Sequence, residues 1–410
     1  FLFISLGMGL TVAGSVLVAQ HMGADEEDEA TYAASQTMTF ALILSIVLGG
    51  VGFFLVGDAL RLLGVGPEVL PLATGYMEVV SLGLFMMFGF FVFISLMRGY
   101  GNTITPMLVM LGTVVLNIAL DPFLIFGWGP FPAMGVQGAA VATVFSRGLA
   151  MLVGLYIMLE GSRGVQIRIR DMWPDFAYLR RLFHIGAPAS VEGTGRALSI
   201  NLLLVVVATF PQAVEAAFGV GIRVFSVIFL PAIAVGRGVE TLAGQNIGAG
   251  KEDRAARTSA FAAKIMFLVL SGAAVVVWIT APSIMAVFND DPQVISVGAD
   301  FLRIVAPTFG FTGVMRAYSG GFRGAGKTMI AAAIAIFTLG IVRLPVAWFA
   351  VIEFDLGTTG LFAAFIVSNI LGALIAFGWY RRGTWRGADI TDEPSPVSAS
   401  GVEDETAVDD

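Results

Sequence analysis

Few residues in this 410-residue chain could do chemistry. There are two His (His21 and His184) and no Cys, which excludes a His-based metal centre, a thiolate metal site and thiol catalysis. Asp121 stands out. It lies deep in the apolar run 103–127, has no base one turn away along the chain, and precedes Pro122. A carboxyl in such surroundings is costly to keep charged, so it either caps a helix end or exists to take up and release a cation. Asn117 lies four residues earlier, on the same face of a helix. Its amide could hydrogen-bond the carboxyl or complete an oxygen cage, so Asp121 and Asn117 form a candidate proton-coupling site with Na⁺ as the alternative ion. No cofactor is implied; H⁺ or Na⁺ would be the coupling ion. Glu192 and Arg196 are the second feature, four apart with Glu first, the favourable order for an ion pair within one helix.

Composition sets the elements that must hold these residues. The chain is 57% hydrophobic and 13% charged, with mean hydropathy +0.86, whereas a soluble protein averages about 25% charged residues. No soluble interior can hide that much apolar side chain, so the chain uses lipid as its solvent. That excludes a soluble enzyme, a nucleic-acid-binding module and a secreted disulfide scaffold. Eleven runs are long enough to cross a bilayer as helices: 1–22, 31–57, 70–97, 103–127, 135–159, 183–209, 213–244, 255–282, 294–320, 328–352 and 357–380. The basic residues gather on one side of these runs. Arg98, the five arginines between 163 and 181, Lys251, Arg254, Arg257, Arg323, Lys327, Arg381, Arg382 and Arg386 share it, against Arg61 alone opposite. That side is expected to be cytoplasmic. The net charge of −7 resides mainly in eight acids that follow Arg386, and the tail 383–410 is predicted to be acidic, disordered and cytoplasmic.

Self-comparison organises the runs. Without gaps, Gln20, Gly23, Ala24, Glu27, Asp28 and Ala30 fall 225 residues before Gln245, Gly248, Ala249, Glu252, Asp253 and Ala255. The same offset takes Arg98, Gly99, Gly101 and Thr103 to Arg323, Gly324, Gly326 and Thr328. The halves are duplicates, and the expected fold is all-α and polytopic, two six-helix bundles. The first half has no counterpart for the span at 183, so the repeat implies twelve helices when intact and about eleven in an N-terminally truncated chain. The predicted domains are a truncated N-lobe of about five helices (1–160), a cytoplasmic linker (161–182), a C-lobe of six helices (183–382) and the tail. The repeat also disposes of a P-loop reading. Gly321–Thr328 satisfies G-x-x-x-x-G-K-[ST], but a membrane span precedes it and its duplicate carries Asn102 where the pattern needs Lys327.

Four motifs in order then resemble one family. They are V-A-Q-H-M-G-A with its copy A-G-Q-N-I-G-A, the repeated R-G-x-G-x-T, N-I-A-L-D-P-F-L-I-F-G at 117–127, and G-V-Q-G-A-A-V-A-T at 135–143. Together they resemble the multidrug and toxic compound extrusion (MATE) family, within the MOP flippase superfamily and nearest its DinF-like and archaeal branch. The resemblance implies a non-enzymatic, monomeric, multi-pass plasma-membrane antiporter with a cytoplasmic C-terminus. It would exchange H⁺ or Na⁺ for small amphipathic organic compounds by alternating access of two lobes, with the bilayer as partner and no nucleic acid.

By the same resemblance Asp121 and Asn117 match the N-lobe cation site, although the Asp that the family places on the first helix is absent. Tyr76 and Thr143 match polar positions lining that lobe, with Gln36 and Glu78 as lesser candidates. Glu192 and Arg196 are taken as lining the C-lobe. The NorM-like branch places a carboxylate where this chain has Arg196 and a second near Thr312, so Na⁺ coupling of that type is not expected here. Arg223, Arg303, Arg316 and Arg343 make the C-lobe basic. They either pair with Glu215, Glu240 or Asp300, or signal an anionic substrate. The rival readings are a lipid-linked oligosaccharide or polyprenyl-pyrophosphate flippase of the same superfamily and, from a different class, a membrane enzyme or receptor.

Overall fold

Lipid cannot hydrogen-bond a peptide group, so a chain this apolar satisfies its backbone within helices. The computed structural model describes residues 2–387, with side chains from residue 7 on; most of the predicted disordered tail, 388–410, lies outside the described residues. The helices are α1 (Leu2–Gly23), α2 (Glu27–Leu62), α3 (Leu70–Leu82), α4 (Leu84–Tyr100), α5 (Ile104–Phe126), α6 (Val136–Glu160), α7 (Phe176–Val207), α8 (Gln212–Gly248), α9 (Glu252–Ala286), α10 (Pro292–Val305), α11 (Phe309–Gly324), α12 (Thr328–Ile336), α13 (Leu344–Trp348) and α14 (Gly357–Arg381). Nine helices or continuous helical runs are each long and apolar enough to cross a membrane, and α3 with α4 makes a tenth if taken as one bent span. With α1, each of the eleven predicted runs has a helical counterpart among the described residues.

Two runs depart from simple helices. The run 70–97, expected to be continuous, bends by 55° between α3 and α4. The bend centres on Gly83, where a side chain would collide with Val144 of α6. The run 328–352 is wound wide over Phe337–Arg343 and again over Phe349–Glu353, with i→i+5 turns flanking α13. Pro345, inside this stretch, has no N–H to return to the preceding turn.

The chain divides into two compact units, Leu6–Ala187 and a second beginning at Pro188, within α7. In the first unit α6 packs against α3, α4 and α5, and α2 against α3 and α4. In the second, α11 packs against α8, α9 and α14. Its core is a knot of rings centred on Phe301, whose centroid lies 4.8 Å from Phe362, 5.0 Å from Phe225 and 5.4 Å from both Phe218 and Phe365.

The duplication is visible in matched helix crossings. A side chain on Gly99 would meet the Ser15 carbonyl at 2.6 Å, and one on its duplicate Gly324 would collide with the carbonyl of Glu240, the duplicate of Ser15. One turn earlier, Ser95 Oγ donates to the Thr11 carbonyl at 2.6 Å. Its duplicate Gly320 meets the carbonyl of Gly236, the duplicate of Thr11. Small residues at these points let two helix backbones touch, which is how helices gain packing energy in lipid.

Gly324→Ala should therefore lower the midpoint of thermal unfolding of the purified protein, at a cost of about 1–3 kcal/mol. Gly378→Ala on α14, where nothing lies within 4 Å of the added methyl, should leave the midpoint unchanged or slightly higher. Equal effects would show that the crossing is not tight.

Candidate functional site

The N-lobe site is built by the α5–α6 hairpin. The amides of Met134 and Gly135 donate to the carbonyls of Leu124 and Ile125 at 3.0 and 3.1 Å, closing the turn. Gly138 of α6 lies against the Leu124 carbonyl, and farther along Arg147 Nη1 reaches Thr113 Oγ1 at 3.4 Å. These two contacts fix an antiparallel register in which Asp121 and Asn117 face the stretch of α6 that carries Thr143. Both are half-buried. Asp121 Oδ1 and Asn117 Nδ2 are buried without any hydrogen-bond partner. Pro122, lacking an N–H, also leaves the Ile118 carbonyl without its usual helical donor. One turn of α5 thus gathers a carboxylate oxygen, an amide and a backbone carbonyl whose hydrogen-bonding capacity is not met by the protein.

The other N-lobe candidates sit differently. Thr143 Oγ1 donates to the Ala139 carbonyl of its own helix at 2.9 Å, which leaves its lone pairs as an acceptor. Tyr76 and Glu78 are half-buried on α3, which packs on the same α6. Gln36 reaches the segment before α7. Its Nε2 donates to the carbonyls of Asp171 and Trp173 at 2.6 and 2.8 Å, and its Oε1 accepts the Asp175 amide at 3.1 Å. Every polar atom of the side chain is spent on the segment before α7, so Gln36 is a clamp rather than a ligand. Arg147, absent from the expected site, is a half-buried base inside α6 whose guanidinium lies 5.2 Å over the Phe90 ring. It was legible as an Arg within a predicted span.

The clamp at Gln36 has company. Thr39 Oγ1 donates to the Met172 carbonyl at 3.0 Å, Arg168 pairs with Asp28 at 2.7 Å, and the Tyr32 hydroxyl donates to Asp175 Oδ2 at 2.8 Å. Asp175 Oδ1 in turn accepts the amides of Ala177 and Tyr178 at the start of α7. Partial burial opposes ionisation, but the hydrogen bonds from Tyr32 and those two amides win and hold the Asp175 carboxyl below its ordinary range. The residues read as a linker are thus laid along α2. In the second unit, Asp253, the duplicate of Asp28, pairs likewise with Arg386 after α14 at 2.7 Å.

The C-lobe candidates join a larger network. Glu192 and Arg196 pair at 2.9 Å as expected, but Glu192 also takes Arg323 at 3.1 Å. Arg323 reaches Glu240 at 3.0 Å, and Glu240 takes Arg237 at 3.0 Å. Arg323, counted by sequence as a cytoplasmic-side base, is buried at 6% exposure between two carboxylates. Glu240 is therefore satisfied by Arg237 and Arg323, not by the four arginines expected to compete for it. Of those, Arg303 turns to the Trp278 carbonyl at 3.3 Å. Arg343 donates to Ser368 Oγ at 2.9 Å and Asn369 Oδ1 at 2.8 Å.

With this geometry in place, the MatE family model matches residues 1–123 and 188–349. The chain belongs to the MATE family. It is 30% identical to the probable multidrug resistance protein YpnP of Bacillus subtilis, covering 93% of this chain and 84% of that protein. It is 27% identical to the probable multidrug resistance protein YoeA of the same organism, covering 95% and 85%. A solved outward-facing multidrug resistance MATE transporter of the MOP superfamily superposes with TM-score 0.87 at 24% identity, over 93% of this chain and 85% of that one. The match spans both duplicated halves and leaves out 124–187, where the α5–α6 turn, α6 and the clamped segment lie. As a MATE protein the chain is a multi-pass membrane transporter, and within its C-lobe Glu192, Glu240, Arg196, Arg237 and Arg323 neutralise one another.

Arg323→Met should destabilise the protein by about 3–5 kcal/mol, because two carboxylates are left buried without their shared partner. Replacing Glu192, Glu240 and Arg323 together by Gln, Gln and Met should restore most of the thermal midpoint. A triple variant no more stable than the single one would refute that account. Gln36→Ala should speed hydrogen exchange across 168–175. In the wild type, protection owed to Asp175 should persist above about pH 4, the ordinary range of an unfolded Asp, and be lost as pH falls through its lowered folded value. Intrinsic-rate-corrected exchange in wild type and Asp175→Asn would check the sign.

Proposed function

We propose that this MATE protein is a cation-coupled antiporter that exports amphipathic organic compounds by alternating access of its two lobes. It works as a monomer in the plasma membrane, with its C-terminus in the cytoplasm. The observation that carries the reading is the pair of unmet groups on one turn of α5, Asp121 Oδ1 and Asn117 Nδ2, both buried without a partner. A carboxylate oxygen buried in that state costs free energy that a bound cation recovers, whereas the Asn117 amide is a donor that an acceptor must satisfy. If the cation binds more tightly in one access state than in the other, its gradient shifts the population between them.

The donor set favours a proton over Na⁺. A proton needs one carboxylate oxygen, which Asp121 supplies by itself, whereas a hard cation such as Na⁺ needs several oxygens. Asn117, a turn away, is placed to donate to the carboxylate when the cation leaves. The relatives named as multidrug resistance proteins support drug export over a lipid-linked flippase.

The test is ethidium export from proteoliposomes under an imposed pH gradient, wild type beside Asp121→Asn. Gradient-driven export should fall at least about tenfold in the variant, the loss expected when a coupling group can no longer titrate. Asn117→Ala should weaken coupling without abolishing it. Undiminished export by Asp121→Asn would move the coupling site elsewhere, and export driven by a Na⁺ gradient alone would replace the proton.

A further inference from the structure

Within the second unit, the helical faces that meet inside the bundle carry more positive than negative charge. Glu192 and Glu240 are the two carboxylates, and Arg196, Arg237 and Arg323 are paired with them. Arg316 and Arg343 have no carboxylate partner among the described residues. Five guanidiniums against two carboxylates leave three positive charges in a region where each unpaired one is costly.

Arg196 and Arg343 lie on neighbouring helices. Gly195 of α7 lies against Ile336, and Gly340 lies against Ser199, which sets α7 and the α12 run side by side in parallel. The Glu192–Arg323 pair joins α7 to α11, and Arg316 lies about two turns before Arg323 on α11, as Ser199 lies about two turns after Glu192 on α7. Arg196 is about one turn to one side of Ser199 and Arg343 about one turn to the other, within ~10 Å along the helix axes.

Polar groups on these helices have capacity to spare. On α11, Thr312 and Arg316 are four apart and share a face, and both Thr312 Oγ1 and Arg316 Nε are buried with no hydrogen-bond partner. Arg343 ends the wide-wound segment Phe337–Arg343, a distortion that often marks functional positions in helices. Its guanidinium stacks 4.3 Å over the Phe365 ring. Two of its donors go to Ser368 and to Asn369, which is itself tied to Thr308 Oγ1 at 2.9 Å. All three anchors are neutral: they hold the fork in place without cancelling its charge.

We propose that Arg316 and Arg343, with Thr312 and aided by the field of Arg196, form a binding site in the C-lobe for an oxyanion, a carboxylate or phosphate carried on an amphipathic molecule. Planar guanidinium forks recognise such groups in bidentate fashion. The chemistry fits two sources, an organic anion delivered for export or an acidic lipid headgroup. The inference rests on the exporter reading only for the ligand's route, because binding itself does not depend on coupling at Asp121.

The test is equilibrium binding of two dyes that share a xanthene ring, anionic carboxyfluorescein and cationic rhodamine 6G. Binding is measured to the protein in phosphatidylcholine nanodiscs, with empty discs subtracted. Carboxyfluorescein should bind at least about tenfold tighter, the ratio expected from one charge-assisted pair. That preference should be lost in Arg316→Gln and Arg343→Gln and reduced in Thr312→Val, while rhodamine binding is unchanged. Equal or tighter rhodamine binding by the wild type, or a preference retained in both Arg variants, would overturn the site. The wild-type comparison decides by itself if the variants fail to fold. Discs containing phosphatidylglycerol separate the sources. Competition with the dye that disappears in the Arg variants assigns the site to a headgroup, and its absence assigns it to an organic anion. Ethidium export with no dye preference would defeat this inference alone; dye preference without ethidium export would defeat the drug-export reading alone.

Discussion

A lipid interior offers no hydrogen-bond partner to a peptide group or an ion, and the rest of this protein follows from that constraint. The backbone satisfies itself in helices. Because lipid gives helices no hydrophobic reason to associate, they are held by backbones in close approach at Gly99 on Ser15 and Gly324 on Glu240. Polar side chains then divide into two groups. Most have spent their hydrogen bonds locally, as Thr143, Thr338 and Ser199 do on carbonyls of their own helices. A few retain unmet capacity, and function is assigned to Asp121, Asn117, Thr312 and Arg316 among them.

The duplicated halves share architecture and differ in charge. Each repeats the same helix crossing, and each ties an acid at the start of its second long helix to an Arg beyond its last span, Asp28 to Arg168 and Asp253 to Arg386. Where the second half has Glu240, paired with Arg237 and Arg323, the first has Ser15, whose hydroxyl is buried without a partner. The first half offers a lone carboxylate on α5 and the second an excess of guanidinium groups. A duplication that kept packing and diverged in polarity gives one unit chemistry suited to a cation and the other chemistry suited to an anion.

The Glu192–Arg323–Glu240 network shows why buried charge alone is a poor guide to function. Its members are all deep in apolar helices, yet each charge has an opposite partner within 3.1 Å. Such a network fixes one packing arrangement, and breaking it is more harmful than never having built it. Asp121, with less burial and no partner for one oxygen, is the better candidate for a group that must change state.

The sequence by itself determined the solvent, the span positions, the duplication and the family, and it singled out Asp121 and Asn117 as candidates. Each of these is a short-range or statistical property: apolar length, a constant offset, or two residues four apart on one helix. It could not determine partners distant along the chain. Gln36 read as a lobe-lining amide because nothing near it in sequence could use it, yet its partners lie some 135 residues away. Arg323 read as a surface base because it sits at the end of a span, yet it closes on Glu192 from 131 residues away. The bend at Gly83 and the wide turns before Arg343 were likewise invisible in an unbroken apolar run. Helical period fixes which face a residue occupies, but which face of another helix lies opposite is decided only when the bundle packs, and there a carboxylate becomes either a neutralised strut or a site.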